Sequence, residues 1–192
     1  MDDRKMTLRA LSHVDTPSNL VLIGMPGAGK STIGVLLARK TARDFLDTDL
    51  LIQSQQQRSL QAIVDNEGHT ALRKIEEDVL LGLFRNEAKQ NHLLKKHVIA
   101  TGGSAVYSEP AMHHLKANGT VIFLDVDLTT LKSRINNFDT RGLAKRPNQT
   151  FAELYAERLP LYKKYADITV DCNGLNQEEC CERIVEQLRG ET

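Results

Sequence analysis

Gly24-Met25-Pro26-Gly27-Ala28-Gly29-Lys30-Ser31 is the stretch on which the reading of this chain turns. It fits GxxxxGK[ST] in full, with the apolar run 19–24 (NLVLIG) before it and Thr32 and a helical pattern after it. A strand feeding a glycine-rich turn that opens a helix is the context that gives this spacing its meaning. Glycines let successive backbone N–H groups curl around phosphate oxygens, and a helix starting near Gly29 adds the positive end of its dipole. In such a loop Lys30 reaches the β- and γ-phosphates and Ser31 offers its hydroxyl to Mg²⁺. The segment from Gly24 to Thr32 is therefore expected to hold ATP together with Mg²⁺.

Outward from the loop, the pattern predicts alternating helices and strands. A helix is expected over 30–41, with Ile33, Leu36, Leu37 and Thr41 along one face and the basic residues Arg39, Lys40 and Arg43 near its end. A short strand at 45–46 follows, then a mostly helical stretch over 50–87 that breaks near Gly68. Strands are expected at 98–101, 121–124 and 168–170, and helices at 110–117, 128–135, 151–165 and 177–188. Such alternation predicts the P-loop NTPase architecture: α/β, three layers α/β/α, with a five-stranded parallel sheet.

Two stretches stand outside that scaffold. Residues 136–149 (NNFDTRGLAKRPNQ) are polar, with Gly142, Pro147 and three basic side chains, and read as a mobile surface loop; a lid is expected over 136–150. Residues 53–70 are rich in glutamine, and the cap-like Ser59 precedes Leu60-Gln61-Ala62-Ile63-Val64, which suggests short helices projecting as a substrate flap. The segment 1–18 reads as a loose leader and 19–192 as one P-loop domain, with a substrate-binding region over 47–75.

Composition narrows the partners. Lys plus Arg equals Asp plus Glu at 25 each in 192 residues, so no overall positive field favours nucleic acid or an anionic membrane, and a small molecule gains weight. Cys172, Cys180 and Cys181 have no metal-ligand spacing and read as reduced thiols of a cytoplasmic protein, expected to act as a monomer. No run suits a signal peptide or a membrane span. His113-His114 lacks a partner at ligand spacing and reads as surface histidines.

Asp47-Thr48-Asp49 ends the second expected strand, where α/β sheets hold their ligands. Residues two apart in an extended segment share a side, so both carboxylates could face one site. Asp47 could help to hold Mg²⁺, and Asp49 could accept a hydrogen bond from an acceptor hydroxyl or take its proton. Asp49 equally suits the N-cap of a helix starting at Leu50. Asp125, after the apolar run 121–124, competes with Asp47 for the metal role.

A phosphate loop, then DxD, then Arg73 in a Gly-x₄-Arg run from Gly68, then Ala100-Thr101-Gly102-Gly103, then Arg158-Leu159-Pro160-Leu161-Tyr162 resembles the shikimate kinase family over nearly the whole chain. The resemblance implies a nucleoside-monophosphate-kinase-like fold and transfer of the γ-phosphate of ATP to the 3-hydroxyl of shikimate. It implies that Asp47 lies near Mg²⁺, that Asp49 touches the acceptor hydroxyls, and that Arg73 and Arg158 grip a carboxylate, with Gly102 and Gly103 against the ring. A planar guanidinium fork suits a carboxylate bidentately, so such a pair implies an anionic hydroxy-acid acceptor. Arg134 and Arg141 match the family's nucleotide-stacking arginine and its catalytic lid arginine; Lys145-Arg146 could replace or supplement Arg141.

The chain departs from the family at Gly102-Gly103-Ser104, where three glycines are usual, and at Arg141-Gly142-Leu143, where a proline commonly follows the arginine. Both changes bear on the acceptor. The rival readings are a related kinase of another hydroxy acid or polyol such as gluconate, and an ATP-binding regulator without an acceptor.

Overall fold

A computed structural model describes residues 19–84, 96–134 and 142–190. The expected leader, Arg141 and the first half of the expected lid lie outside the described residues. The chain runs β1 (Leu20–Ile23), α1 (Lys30–Thr41), β2 (Asp44–Asp47), α2 (Thr48–Gln56), α3 (Leu60–Gly82), β3 (His97–Ala100), α4 (Glu109–Asn118), β4 (Thr120–Asp125), α5 (Leu128–Arg134), α6 (Phe151–Tyr165), β5 (Ile168–Asp171) and α7 (Gln177–Arg189). The five strands form one parallel sheet in the order β2-β3-β1-β4-β5.

That order fixes the layers. The connection from β1 to β2 runs one way along the sheet, while those from β3 to β4 and from β4 to β5 run the other. Right-handed crossovers then put α1 on one face and α4 to α6 on the opposite face. β1 is fully buried at the centre, in register with both neighbours at Val21↔Ile99 and Val21↔Val121. At its start Asn19 ties three segments together: its side-chain amide donates to the Asn118 carbonyl at 2.8 Å, and its Oδ1 accepts from the His97 N–H at 3.0 Å. The connections leaving the parallel neighbours β1 and β3 cross opposite faces of the sheet, and the crevice beyond the carboxyl ends of these two strands is where such sheets take ligands. The phosphate loop follows β1, and Gly102-Gly103 follows β3.

The helix boundaries follow local chemistry. Ser59 caps α3 by accepting from the Ala62 N–H, and α3 is broken at Gly68, with φ 85° and ψ 169°. Thr150 and Glu153 form a reciprocal capping box at the start of α6. The α2–α3 pair carries its own small core of Ile52, Ile63, Leu72 and Val79, and Ala144 from the lid joins it. The described part of the expected lid has no helix or strand and exposes Arg146, Pro147 and Asn148, as a surface loop does, while Ala144 is seated on that small core and the buried Gln149 side chain donates to Glu157 of α6. Gly142 explains the missing proline. Its φ is 60°, which proline's ring cannot adopt, and an added Cβ would lie 2.5 Å from the Gln61 backbone nitrogen.

Candidate active site

A cavity of about 470 Å³ opens at the carboxyl end of the sheet. Its wall includes Pro26, Gly27, Gly29, Lys30, Ser31 and Thr32 of the phosphate loop, and Arg134 at the end of α5. No side chain caps α1 and no acidic residue stands in its first turn, so its first amides remain free for an anion. Gly24, Met25 and Ala28 shape the loop from behind; Met25 and Ala28 point into the core. The Lys30 ammonium is buried and donates to the carbonyls of Gly24 at 2.8 Å and Met25 at 3.0 Å. Burial lowers its pKa to about 8, against the opposing pull of Asp49.

The two aspartates separate in a way their spacing did not reveal. The N-cap of α2 is Asp47, not Asp49, and the helix starts at Thr48. Asp47 Oδ1 accepts from the Asp49 and Leu50 N–H groups, while Oδ2 accepts from the Ser31 hydroxyl at 2.6 Å. Asp49 therefore needs no capping role and lines the cavity. Burial raises its pKa, and Lys30 opposes that rise. Asp125 does not line the cavity; its nearest charged influences are Lys163 and Asp171.

The floor beyond the aspartates is Gly102-Gly103. A Cβ on Gly102 would come within 2.6 Å of Asp49 Oδ1 and still closer to Glu76 Oε1, and one on Gly103 would meet Arg158 Nη1 at 2.9 Å. Only glycine leaves these groups their places. Tyr162 stacks on Phe123 in the core and also donates its hydroxyl to the Gly103 carbonyl at 2.6 Å, which holds the floor down.

Arg73 and Arg158 do converge, though by a route the sequence did not show. Arg158 is 1% exposed and lines the cavity; Arg73 is half-buried behind it. Both donate to the Ala144 carbonyl, at 3.2 Å from Arg73 and 2.9 Å from Arg158. Among the described residues neither has an ion-pair partner, and Arg73 Nε is buried without a hydrogen bond.

Sequence reasoning did not single out Glu76. It is 3% exposed, accepts a hydrogen bond from the Ser104 hydroxyl through Oε2, and leaves Oε1 buried without a partner in the cavity wall. The available signal was its place in the buried stripe Leu72, Glu76, Val79 and Leu80 of α3. Burial, then the charge of Asp49, push its pKa up to about 7. The sign follows: an acid with a raised folded-state pKa stabilises the fold below its ordinary range and loses that contribution as pH rises through about 7. Between pH 4.5 and 7 the wild type should lose roughly 3 kcal/mol relative to Glu76→Gln. Unfolding of both proteins at pH 5 and pH 8 checks this, and parallel pH profiles would refute it.

His113 is exposed, whereas His114 is partly covered and packs on Phe84 at 5.2 Å between ring centres. The three cysteines are free and buried. No helix among the described residues is long and apolar enough to cross a membrane.

Comparison with known proteins agrees with this geometry. The shikimate kinase family model matches residues 26–189. A shikimate kinase of Thermodesulfovibrio yellowstonii is 33% identical over 171 residues, covering 88% of this chain and 94% of that protein. The solved shikimate kinase of Acinetobacter baumannii in complex with shikimate superposes with a TM-score of 0.80 at 30% identity, over 93% of this chain and 96% of that one. A deoxyadenosine kinase from M. mycoides, at 16% identity and a TM-score of 0.54 over 91% of this chain and all of its own, shares the fold.

Proposed function

The chain belongs to the shikimate kinase family, and on that premise we propose that it transfers the γ-phosphate of ATP to the 3-hydroxyl of shikimate, giving shikimate 3-phosphate and ADP. One observation carries the reading. A single cavity holds the phosphate loop, the half-buried Asp49 carboxylate and the buried Arg158 guanidinium, with Arg73 beside it. A donor phosphate, an acceptor hydroxyl and an acceptor carboxylate each meet a matching group.

In this reading Gly24 to Thr32 hold the triphosphate, Lys30 neutralises the transferring phosphoryl group, and Arg134 lies against the nucleotide. The hard oxygens of Ser31 and Asp47 fit Mg²⁺, which binds through one or two carboxylates plus substrate phosphates. When bound, that ion offsets charge on the β- and γ-phosphates. Asp49 takes the hydroxyl proton as the acceptor oxygen attacks phosphorus, and ADP departs with the electron pair of the broken bond. Arg73 and Arg158 fix the acceptor by its carboxylate over Gly102 and Gly103, and Arg141 belongs to the lid over 136–150. The acceptor region is 47–75. Net charge zero supports a small-molecule partner rather than nucleic acid or membrane, for a monomer in the cytoplasm.

ADP release with shikimate, shikimate carboxamide and gluconate tests the reading. Shikimate should be used about thirty- to a thousand-fold more efficiently than its carboxamide, because charge-assisted contacts to the carboxylate are lost. Equal use of acid and amide, or preference for gluconate, would overturn it.

A further inference from the structure

Tyr107 ends the 3-10 turn Ala105–Tyr107 that follows Gly102-Gly103-Ser104, and it touches both arginines. Its ring lies 3.6 Å from the Arg73 guanidinium carbon and 5.2 Å from that of Arg158. Its hydroxyl accepts from Arg158 Nε at 3.3 Å and donates to Glu157 Oε1 at 2.6 Å. The other carboxylate oxygen, Glu157 Oε2, accepts from Arg146 Nη2 and Gln149 Nε2, both at 2.7 Å.

We propose that Tyr107 is the positioning residue for the acceptor carboxylate: it sets the planes of Arg73 and Arg158 and, through Glu157, joins them to the lid segment carrying Arg146 and Gln149. The inference rests on the reading of Arg73 and Arg158 as the carboxylate clamp. Two guanidinium groups that face one anion repel each other while no anion lies between them, and long side chains do not hold one rotamer unaided. A ring face under Arg73 offsets its charge and fixes its plane without occupying the in-plane donors, of which the buried Nε is unpaired. The phenol takes Arg158 by Nε, so that its two terminal nitrogens remain for other partners: Nη2 reaches Ala144 and Nη1 stands over Gly103. A hydroxyl that both donates and accepts is what this junction requires, and phenylalanine would keep the stack alone. Glu157 closes the arrangement. Its one carboxylate answers to the clamp through Tyr107 and to the lid through Arg146 and Gln149, so a change in either alters the hydrogen bonds available to the other.

Steady-state kinetics of Tyr107→Leu, Tyr107→Phe, Glu157→Gln and the Tyr107→Phe/Glu157→Gln double variant, beside Arg73→Ala and Arg158→Ala, form the test, with shikimate and its carboxamide as acceptors. Tyr107→Leu should raise the shikimate KM by about ten- to fifty-fold, and Tyr107→Phe by about three- to five-fold, with ATP KM and kcat little changed. The carboxamide KM should stay within about two-fold in both, since no carboxylate is there to be aimed. Glu157→Gln should resemble Tyr107→Phe, and the double variant should be no worse than either alone, because both remove one hydrogen bond. Should Tyr107→Leu prove too unstable to assay, Tyr107→Phe decides the matter by the same acid-versus-amide comparison. An unchanged shikimate KM in both tyrosine variants, with Arg73→Ala or Arg158→Ala still raising it, would overturn the role of Tyr107 and leave the clamp standing. A rise in ATP KM equal to that for shikimate would overturn it too. If the arginine variants themselves leave the shikimate KM unmoved, the clamp reading fails first.

Discussion

Lys30→Ala should lower kcat by two to four orders of magnitude, roughly 3 to 5 kcal/mol of transition-state stabilisation, while the protein remains folded. The ammonium group is buried at the hinge of the loop, held by the Gly24 and Met25 carbonyls, and burial draws its pKa down to about 8. That depressed value means that the fold holds the charge at a cost, which a triphosphate would repay by bringing negative charge beside it. Alanine removes both the cost and the service, so thermal stability should hold while phosphoryl transfer collapses. Turnover at saturating ATP and acceptor, with a melting curve on the same preparation, gives the answer. Near-normal kcat would contradict the assignment of the loop.

The second large effect belongs to Asp49. Asp49→Asn should reduce kcat by about a hundred- to ten-thousand-fold while the ATP KM changes little, since a positioned general base contributes on that scale. The structure separates the two aspartates: Asp47 is committed at both oxygens, to the α2 cap and to Ser31, whereas Asp49 lines the cavity beside Gly102. Burial makes the Asp49 carboxylate more basic than an exposed one, although Lys30 restrains the shift. Initial rates over a grid of ATP and acceptor concentrations distinguish the possibilities. A loss of ATP affinity equal to the loss of turnover would move Asp49 into the metal site.

The scaffold was legible because its signals are local. The phosphate loop, the limits of α1 and α6, the Ser59 cap and the break at Gly68 each depend on neighbours within one or two turns, and all stand where the pattern puts them. The five parallel strands follow from alternation alone. The site was legible only in part. Nothing local tells whether Asp47 or Asp49 caps α2, because an aspartate at either position suits the cap and the chain turns helical at Thr48, between the two. Glu76 was passed over because its contacts come from the Gly102–Ser104 loop, which meets it from a distance in sequence. Tyr107 carried no motif at all; its meaning lies in two arginines from α3 and α6 that meet only in the folded chain. How the lid segment is anchored was illegible for a related reason. Its polar composition hides Ala144, a single small residue that seats the segment on the core of the flap.

The most direct test of the account is the structure of the product. The wild-type protein, given ATP, Mg²⁺ and shikimate, is followed by phosphorus–proton correlation NMR. The account predicts one new phosphate ester whose phosphorus couples to the proton on carbon 3 of shikimate, formed mole for mole with ADP. Coupling to another ring carbon, or ADP formed at the same rate without shikimate, would contradict it.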